Sequence, residues 1–208
     1  MRKPALVLAA AAALGLPALA AADGDPASDY LLGTPTFVPP DAGVPPAYAA
    51  QLNATVREAK ARGYPVRVAL IGSRYDMGSV TVLYAKPKQY ARFLGTELGF
   101  VYKGRLLVVM ANGYGVSQNG KALPREQAVA DRLGAPGKGG ASLAAAGTKA
   151  VARLAADAGV IVPVPPLAAG GRTAPGSTTT RDRVTIAVAA LVACLLAAGV
   201  LVYRRRRA

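Results

Sequence analysis

The stretch that most limits how this chain can fold is Val184 to Tyr203, VTIAVAALVACLLAAGVLVY, closed by Arg204, Arg205, Arg206 and Arg207. Its roughly 20 uncharged residues, rising 1.5 Å each as a helix, match a hydrocarbon core of about 30 Å. A helix satisfies its backbone hydrogen bonds internally, as a bilayer interior demands. The pattern predicts one transmembrane helix over 184–203 and a basic tail over 204–208. Ala189, Ala193 and Ala197 recur every four residues, a stripe of small side chains that lets two such helices pair as a homodimer. A general alanine bias produces the same stripe without any pairing.

At the other end, Met1-Arg2-Lys3 is a short basic region, followed by the apolar run Ala5 to Leu16 and the small residues Ala18, Ala20 and Ala22. These are the parts of a secretory signal peptide over 1–22, with cleavage after Ala20 or Ala22 equally compatible. No cysteine follows directly, so no lipid anchor is expected there. Arg172, Arg181 and Arg183 on one side of the apolar helix nearly balance the four arginines on the other. Loop charge is thus a weak guide to orientation. Export of the N-terminal side is the stronger one. The expectation is a single-pass protein of the plasma membrane, its main domain extracytoplasmic and its tail cytoplasmic.

What lies between is long enough for one domain with a core of its own. The lone cysteine, Cys194, falls in the apolar helix, so the exported part is expected to hold no disulfide. The chain has no histidine. That excludes Ser-His-Asp hydrolysis, Cys-His catalysis and histidine-based metal sites. Between residues 23 and 180 there are 17 Lys and Arg against 10 Asp and Glu, a net +7. A basic domain beside a membrane is drawn to anionic lipid headgroups or wall polymers. The charges are spread instead of clustered, which a merely soluble surface also explains. Nucleic acid is not an expected partner.

Residues 23–46, rich in Pro, Gly and Asp, read as an extended lead-in with at most one edge strand. A domain over 47–162 follows. Pro45-Pro46 sets up a helix to about Arg62, with Tyr48, Leu52, Val56 and Ala59 on one face. Val66 to Ile71 is a strand, and Gly72 to Gly78 a loop at its carboxyl end. Pro87 opens a second helix to about Leu98, and Arg105 to Met110 is a second strand. Strand, helix, strand is the pattern of a parallel crossover, right-handed in nearly all folds. Asn112-Gly113 predicts a type I′ hairpin turn into a returning strand over Tyr114 to Ser117, ended by Asn119-Gly120. Pro124 begins a third helix stopping at Gly134, and Ser142 caps a fourth to about Ala158. Residues 163–183, Pro-rich and then Gly/Ser/Thr-rich, make a spacer without a core. The fold class is α/β, a small mixed sheet flanked by helices.

The VRVALIG strand, the YARFLGTELGF helix and the RLLVVMANGYGVSQNG strand-hairpin, between a signal peptide and a C-terminal anchor, resemble the TPM-domain family. The likeness is strongest over Tyr48 to Gly120. It implies a TPM-like fold in a membrane-anchored or lumenal domain, with acid-phosphatase activity or calcium binding in some members and assembly or repair of membrane complexes in others. The family often has an acidic Asp-Asn-Gly-like turn before the buried strand. Tyr102-Lys103-Gly104 stands there instead, which counts against calcium and against metal-assisted phosphatase chemistry.

Ligands of open α/β sheets sit beyond the carboxyl ends of strands. Two loops qualify: Gly72 to Gly78, with Ser73, Arg74 and Asp76, and Asn112 to Gly115, with Tyr114. Arg74 suits an anionic group, with Asp76 orienting it or helping hold a cation. The plainer alternative is that the glycines turn the chain while Arg74 pairs with Asp76 at the surface. Glu126 and Asp131, five residues apart, share no helix face. No carboxylate spacing argues for acid-base catalysis, and no cofactor is expected. The expectation is a non-catalytic, membrane-tethered binding or scaffold module contacting an envelope protein, anionic lipid or wall polymer. The alternative is a metal-dependent phosphatase using Asp76 and residues near Tyr114.

Overall fold

Residues 24–167 are described by the computed structural model. The expected signal peptide, transmembrane helix with Ala189, Ala193 and Ala197, and basic tail lie outside the described residues. No helix among the described residues is long and apolar enough to cross a membrane.

Helix α1, Pro26–Gly33, overturns the extended lead-in. Asp25 is its N-cap, accepting from the Ala27 N–H at 3.2 Å, and Pro26 occupies the first turn. Proline breaks a helix interior but suits its first turn, where no N–H partner is needed. Ala27 and Leu31, four apart, bury its inner face. Strand β1, Thr36–Phe37, follows at the sheet edge. Asp25 to Phe37 thus belong to the folded domain, ahead of its expected start at residue 47.

Helix α2, Pro46–Ala61, and strand β2, Val66–Ile71, match expectation within a residue. Arg74–Leu83 is a kinked 3-10 segment that starts within the expected Gly72 to Gly78 loop. Helix α3, Pro87–Glu97, strand β3, Arg105–Met110, and strand β4, Gly113–Gln118, follow. A two-residue β5, Lys121–Ala122, precedes α4, Pro124–Asp131, and α5, Gly140–Asp157. Gly139, with φ +94°, stands at the N-cap of α5, so Ser142 does not cap it.

The five strands lie in chain order. Strands β1, β2 and β3 are parallel, and β4 and β5 antiparallel. The sheet alternates strictly. Val68, Leu70, Leu107, Val109, Tyr114 and Val116 face one core, under α2, α4 and α5. Ala69, Ile71, Leu106, Val108 and Met110 face the other, under α1 and α3. Such alternation is what a period of two residues produces when both faces are covered.

The crossovers β1–α2–β2 and β2–α3–β3 step the same way across the sheet, yet their helices lie on opposite faces. They therefore have opposite hands, and the right-handed rule describes only one of them. The twist that biases the hand accumulates along a strand, and β1 offers two residues of it.

The hairpin between β3 and β4 forms, but not with the expected turn. Met110 pairs with Gly113, leaving Ala111 and Asn112 at the tip, neither of them at positive φ. Asn112 instead donates its side-chain amide to the Ala85 carbonyl at 2.7 Å. The φ values of a type I′ turn occur at Asn119 (+48°) and Gly120 (+74°), between the paired Gln118 and Lys121.

Beyond α5 the chain turns at Gly159 (φ +81°), and Val162 is buried in the first core. The Pro165 carbonyl accepts from the Gln51 amide of α2 at 2.6 Å. The first residues of the expected spacer are thus bound to the domain.

Candidate binding site

The segment after β2 is built around one carboxylate. Asp76 is 8% exposed, and its Oδ2 accepts from the backbone N–H groups of Gly72 and Ser73, each at 2.8 Å. The Ser73 hydroxyl accepts from the Tyr75 N–H at 3.2 Å, completing a capping box. These reciprocal bonds satisfy the free N–H groups at the start of a helical turn, where a negative charge is also favoured. Asp76 and Ser73 are therefore consumed in holding the segment.

Arg74 and Tyr75 are what the segment presents. Arg74 is exposed and makes no ion pair among the described residues, so the expected surface pairing with Asp76 is absent. Tyr75 is 86% exposed and Val82, later in the same segment, 71%. Most exposed apolar side chains need no explanation. Here a cation, an aromatic ring and a branched apolar group stand on one segment whose base is fixed by a buried carboxylate.

Tyr114 does not join them. The loops after β2 and β3 do lie at the same end of the sheet, as two adjacent parallel strands require. The Tyr114 side chain, however, packs in the first core, whereas Met77 beside Asp76 packs in the second. Burial pushes the Tyr114 hydroxyl above its usual pKa. The parity of a strand decides this: Tyr114 sits opposite Val109, a residue of the first core.

The remaining carboxylates of interest have structural partners. Glu126 bonds the Arg105 guanidinium at 2.8 Å and accepts from the Tyr64 hydroxyl at 3.3 Å. Asp131 meets Lys88 and the Gln127 amide, each at 2.8 Å. Lys88 and Gln127 hold its carboxyl below the usual range despite some desolvation. At the Tyr102-Lys103-Gly104 turn, the Tyr102 ring stacks under the Arg67 guanidinium, 4.1 Å from the ring centre. Among the described residues, no group of three or more metal-ligating side chains converges.

Sequence reasoning missed Asp25. It is 4% exposed, its Oδ1 accepts from the Tyr90 hydroxyl at 2.6 Å, and its Oδ2 has no hydrogen-bond partner. Desolvation raises its pKa to about 6, although the Tyr90 and Ala27 hydrogen bonds pull downward. Desolvation, then the charge of Asp25, raises the Tyr90 phenol in turn. The Asp-Pro pair before an apolar i, i+4 pattern marks a helix start, but nothing local foretells its burial against α3.

No family model, curated protein or solved structure matches this chain.

Proposed function

We propose that this chain is a non-catalytic binding or scaffold module of TPM-like fold, tethered to the plasma membrane with its α/β domain on the extracytoplasmic side. One observation carries the reading: Asp76 is committed to its own backbone, so the segment it braces offers Arg74 and Tyr75 as contacts and no free carboxylate. A braced segment loses little conformational freedom on binding, which favours recognition. The sequence supports the tether through Val184 to Tyr203, the arginine cluster and the signal-like N-terminus. The partner class is an envelope protein or an anionic lipid or polymer surface.

The phosphatase alternative needs Asp76 and residues near Tyr114 to cooperate on one ligand. Met77, next to Asp76, packs in one core and Tyr114 in the other, on opposite faces of the sheet, which disfavours that arrangement.

The test is capture in intact cells by full-length chain carrying a photoreactive side chain at position 75. One recurrent crosslinked envelope component, lost on Arg74→Glu, is the expected result. Hydrolysis of a phosphate ester by the purified full chain, abolished in Asp76→Asn, would overturn the reading.

A further inference from the structure

Along the outer side of α5 runs a cleft of about 820 Å³. That lies within the range of pockets that enclose small ligands. Helix α5 packs between α2 and α4, and the cleft follows it. Tyr48 of α2, Val129 of α4 and Leu133 beyond it supply apolar lining, and Ala152 of α5 leaves the space open. Val164 and Leu167, 43% and 41% exposed, line it from the segment after α5.

The charges of the lining that have no ion-pair partner among the described residues are of one sign. Arg132, Lys149 and Arg153 are exposed along the cleft, and none makes an ion pair among the described residues. Its single carboxylate, Asp157, is engaged by Arg125 at 3.1 Å. An apolar cleft bordered by three uncompensated cations complements a molecule with an apolar chain and an anionic head.

We propose that this cleft binds the acyl chain of an anionic membrane lipid, with Arg132, Lys149 and Arg153 holding the headgroup. The proposal rests on the membrane-tethered reading for its choice of occupant. Residues 168–183 connect Leu167, in the cleft wall, to the expected span at Val184. Fully extended, that connection reaches at most roughly 60 Å, so a tethered domain stays within reach of lipid molecules. Long basic side chains beside apolar surface are also the usual partners of lipid headgroups.

The test uses the full chain with vesicles of neutral phosphatidylcholine, doped with a lysophosphatidylglycerol bearing a diazirine at the end of its acyl chain. Photolabel in peptides of α5 and of 160–167 is the expected result. Ala152→Trp, which fills the cleft, should lower it by about tenfold, a loss of about 1.4 kcal/mol. The triple variant Arg132→Gln, Lys149→Gln, Arg153→Gln should abolish any preference over the zwitterionic lysophosphatidylcholine analogue, with the circular dichroism spectrum unchanged. Label elsewhere in the domain, label indifferent to Ala152→Trp, or equal labelling by the two headgroups would overturn the proposal. Flotation of the chain with the vesicles reads the tether separately. Where it does not float, monomeric probe in solution still reports on the cleft, so the two failures are distinguishable.

Discussion

The hydroxyl of Tyr90, on α3, donates to the carboxylate of Asp25, the N-cap of α1, at 2.6 Å, and both residues are buried. The bond joins the first helix of the domain to a helix 65 residues later. It leaves the second carboxylate oxygen without a partner. A buried oxygen of that kind favours the protonated form, because burial disfavours charge.

Stability should therefore depend on pH through Asp25. Its carboxyl titrates at about 6 in the folded chain against an ordinary 3.8, so the folded state holds the proton more tightly. The stabilisation is complete below about pH 4 and is lost as pH rises through about 6, about 3 kcal/mol in all. Asp25→Asn keeps the helix cap and removes the titration. The difference between the urea-unfolding free energies of the two proteins should change by that amount across the window. A constant difference would place the carboxyl in the normal range.

Removing the Asp76 carboxylate should loosen the segment it braces. Asp76→Ala leaves the Gly72 and Ser73 N–H groups without their acceptor and should cost about 2–3 kcal/mol. Asp76→Asn keeps an acceptor and should cost less. Denaturant titration measures both. Hydrogen exchange at Gly72 and Ser73 should accelerate more in the alanine variant.

Gly115 tests the packing of α3 on the sheet. A Cβ there would overlap the Pro87 carbonyl, so Gly115→Ala should cost about 1–3 kcal/mol or more through forced backbone shifts. At Gly134 the space is open and only the φ of +78° is strained, so Gly134→Ala should cost about 1–2 kcal/mol. Thermal midpoints of the two variants compare a steric cause with a conformational one.

Gln127 acts as a substitute strand. Its side chain accepts from the Val116 N–H at 2.8 Å and donates to the Tyr114 carbonyl at 3.0 Å, along a stretch of β4 that β5 does not reach. Gln127→Ala should cost about 1–3 kcal/mol by orphaning both groups. It also exposes an unpaired strand edge, a template for association. Light scattering on heating should show earlier aggregation than the loss of stability alone explains.

Much of the fold was legible because burial leaves periodic traces. Val68 to Ile71 and Leu106 to Met110 are continuous apolar runs, as strands covered on both faces must be. Helices α2, α3 and α4 announced themselves through proline in the first turn. Helix α1 carries the same signal in Pro26, but the surrounding glycines and prolines outweigh one N-cap in the sequence pattern. The two Asn-Gly pairs look alike in sequence, yet only Asn119-Gly120 takes positive φ at both residues. At Asn112-Gly113 the pairing of Met110 with Gly113 shifts the tip by one residue.

The position of the candidate loop is legible in the sequence, the roles of its residues are not. Ser73, Arg74 and Asp76 are singled out because ligands gather beyond strand ends, a rule of topology. Which of them faces solvent depends on hydrogen bonds closed only when Gly72 and Ser73 turn back over Asp76. Tyr114 was grouped with them by proximity along the sheet, and strand parity sends its ring to the other face.

The sequence by itself determined strands β2, β3 and β4, most of the helices, the parallel pairing of β2 with β3 and the antiparallel return of β4, and the chemistry closed to a chain without histidine. These follow from local geometry and composition, which each residue carries wherever it lies. Only the tertiary structure decided that Asp25 is buried against Tyr90, that Asp76 serves its own backbone, and that cations gather along the cleft over α5. Those facts depend on partners up to 65 residues away, and burial converts an ordinary side chain into a perturbed or committed one only once those partners meet.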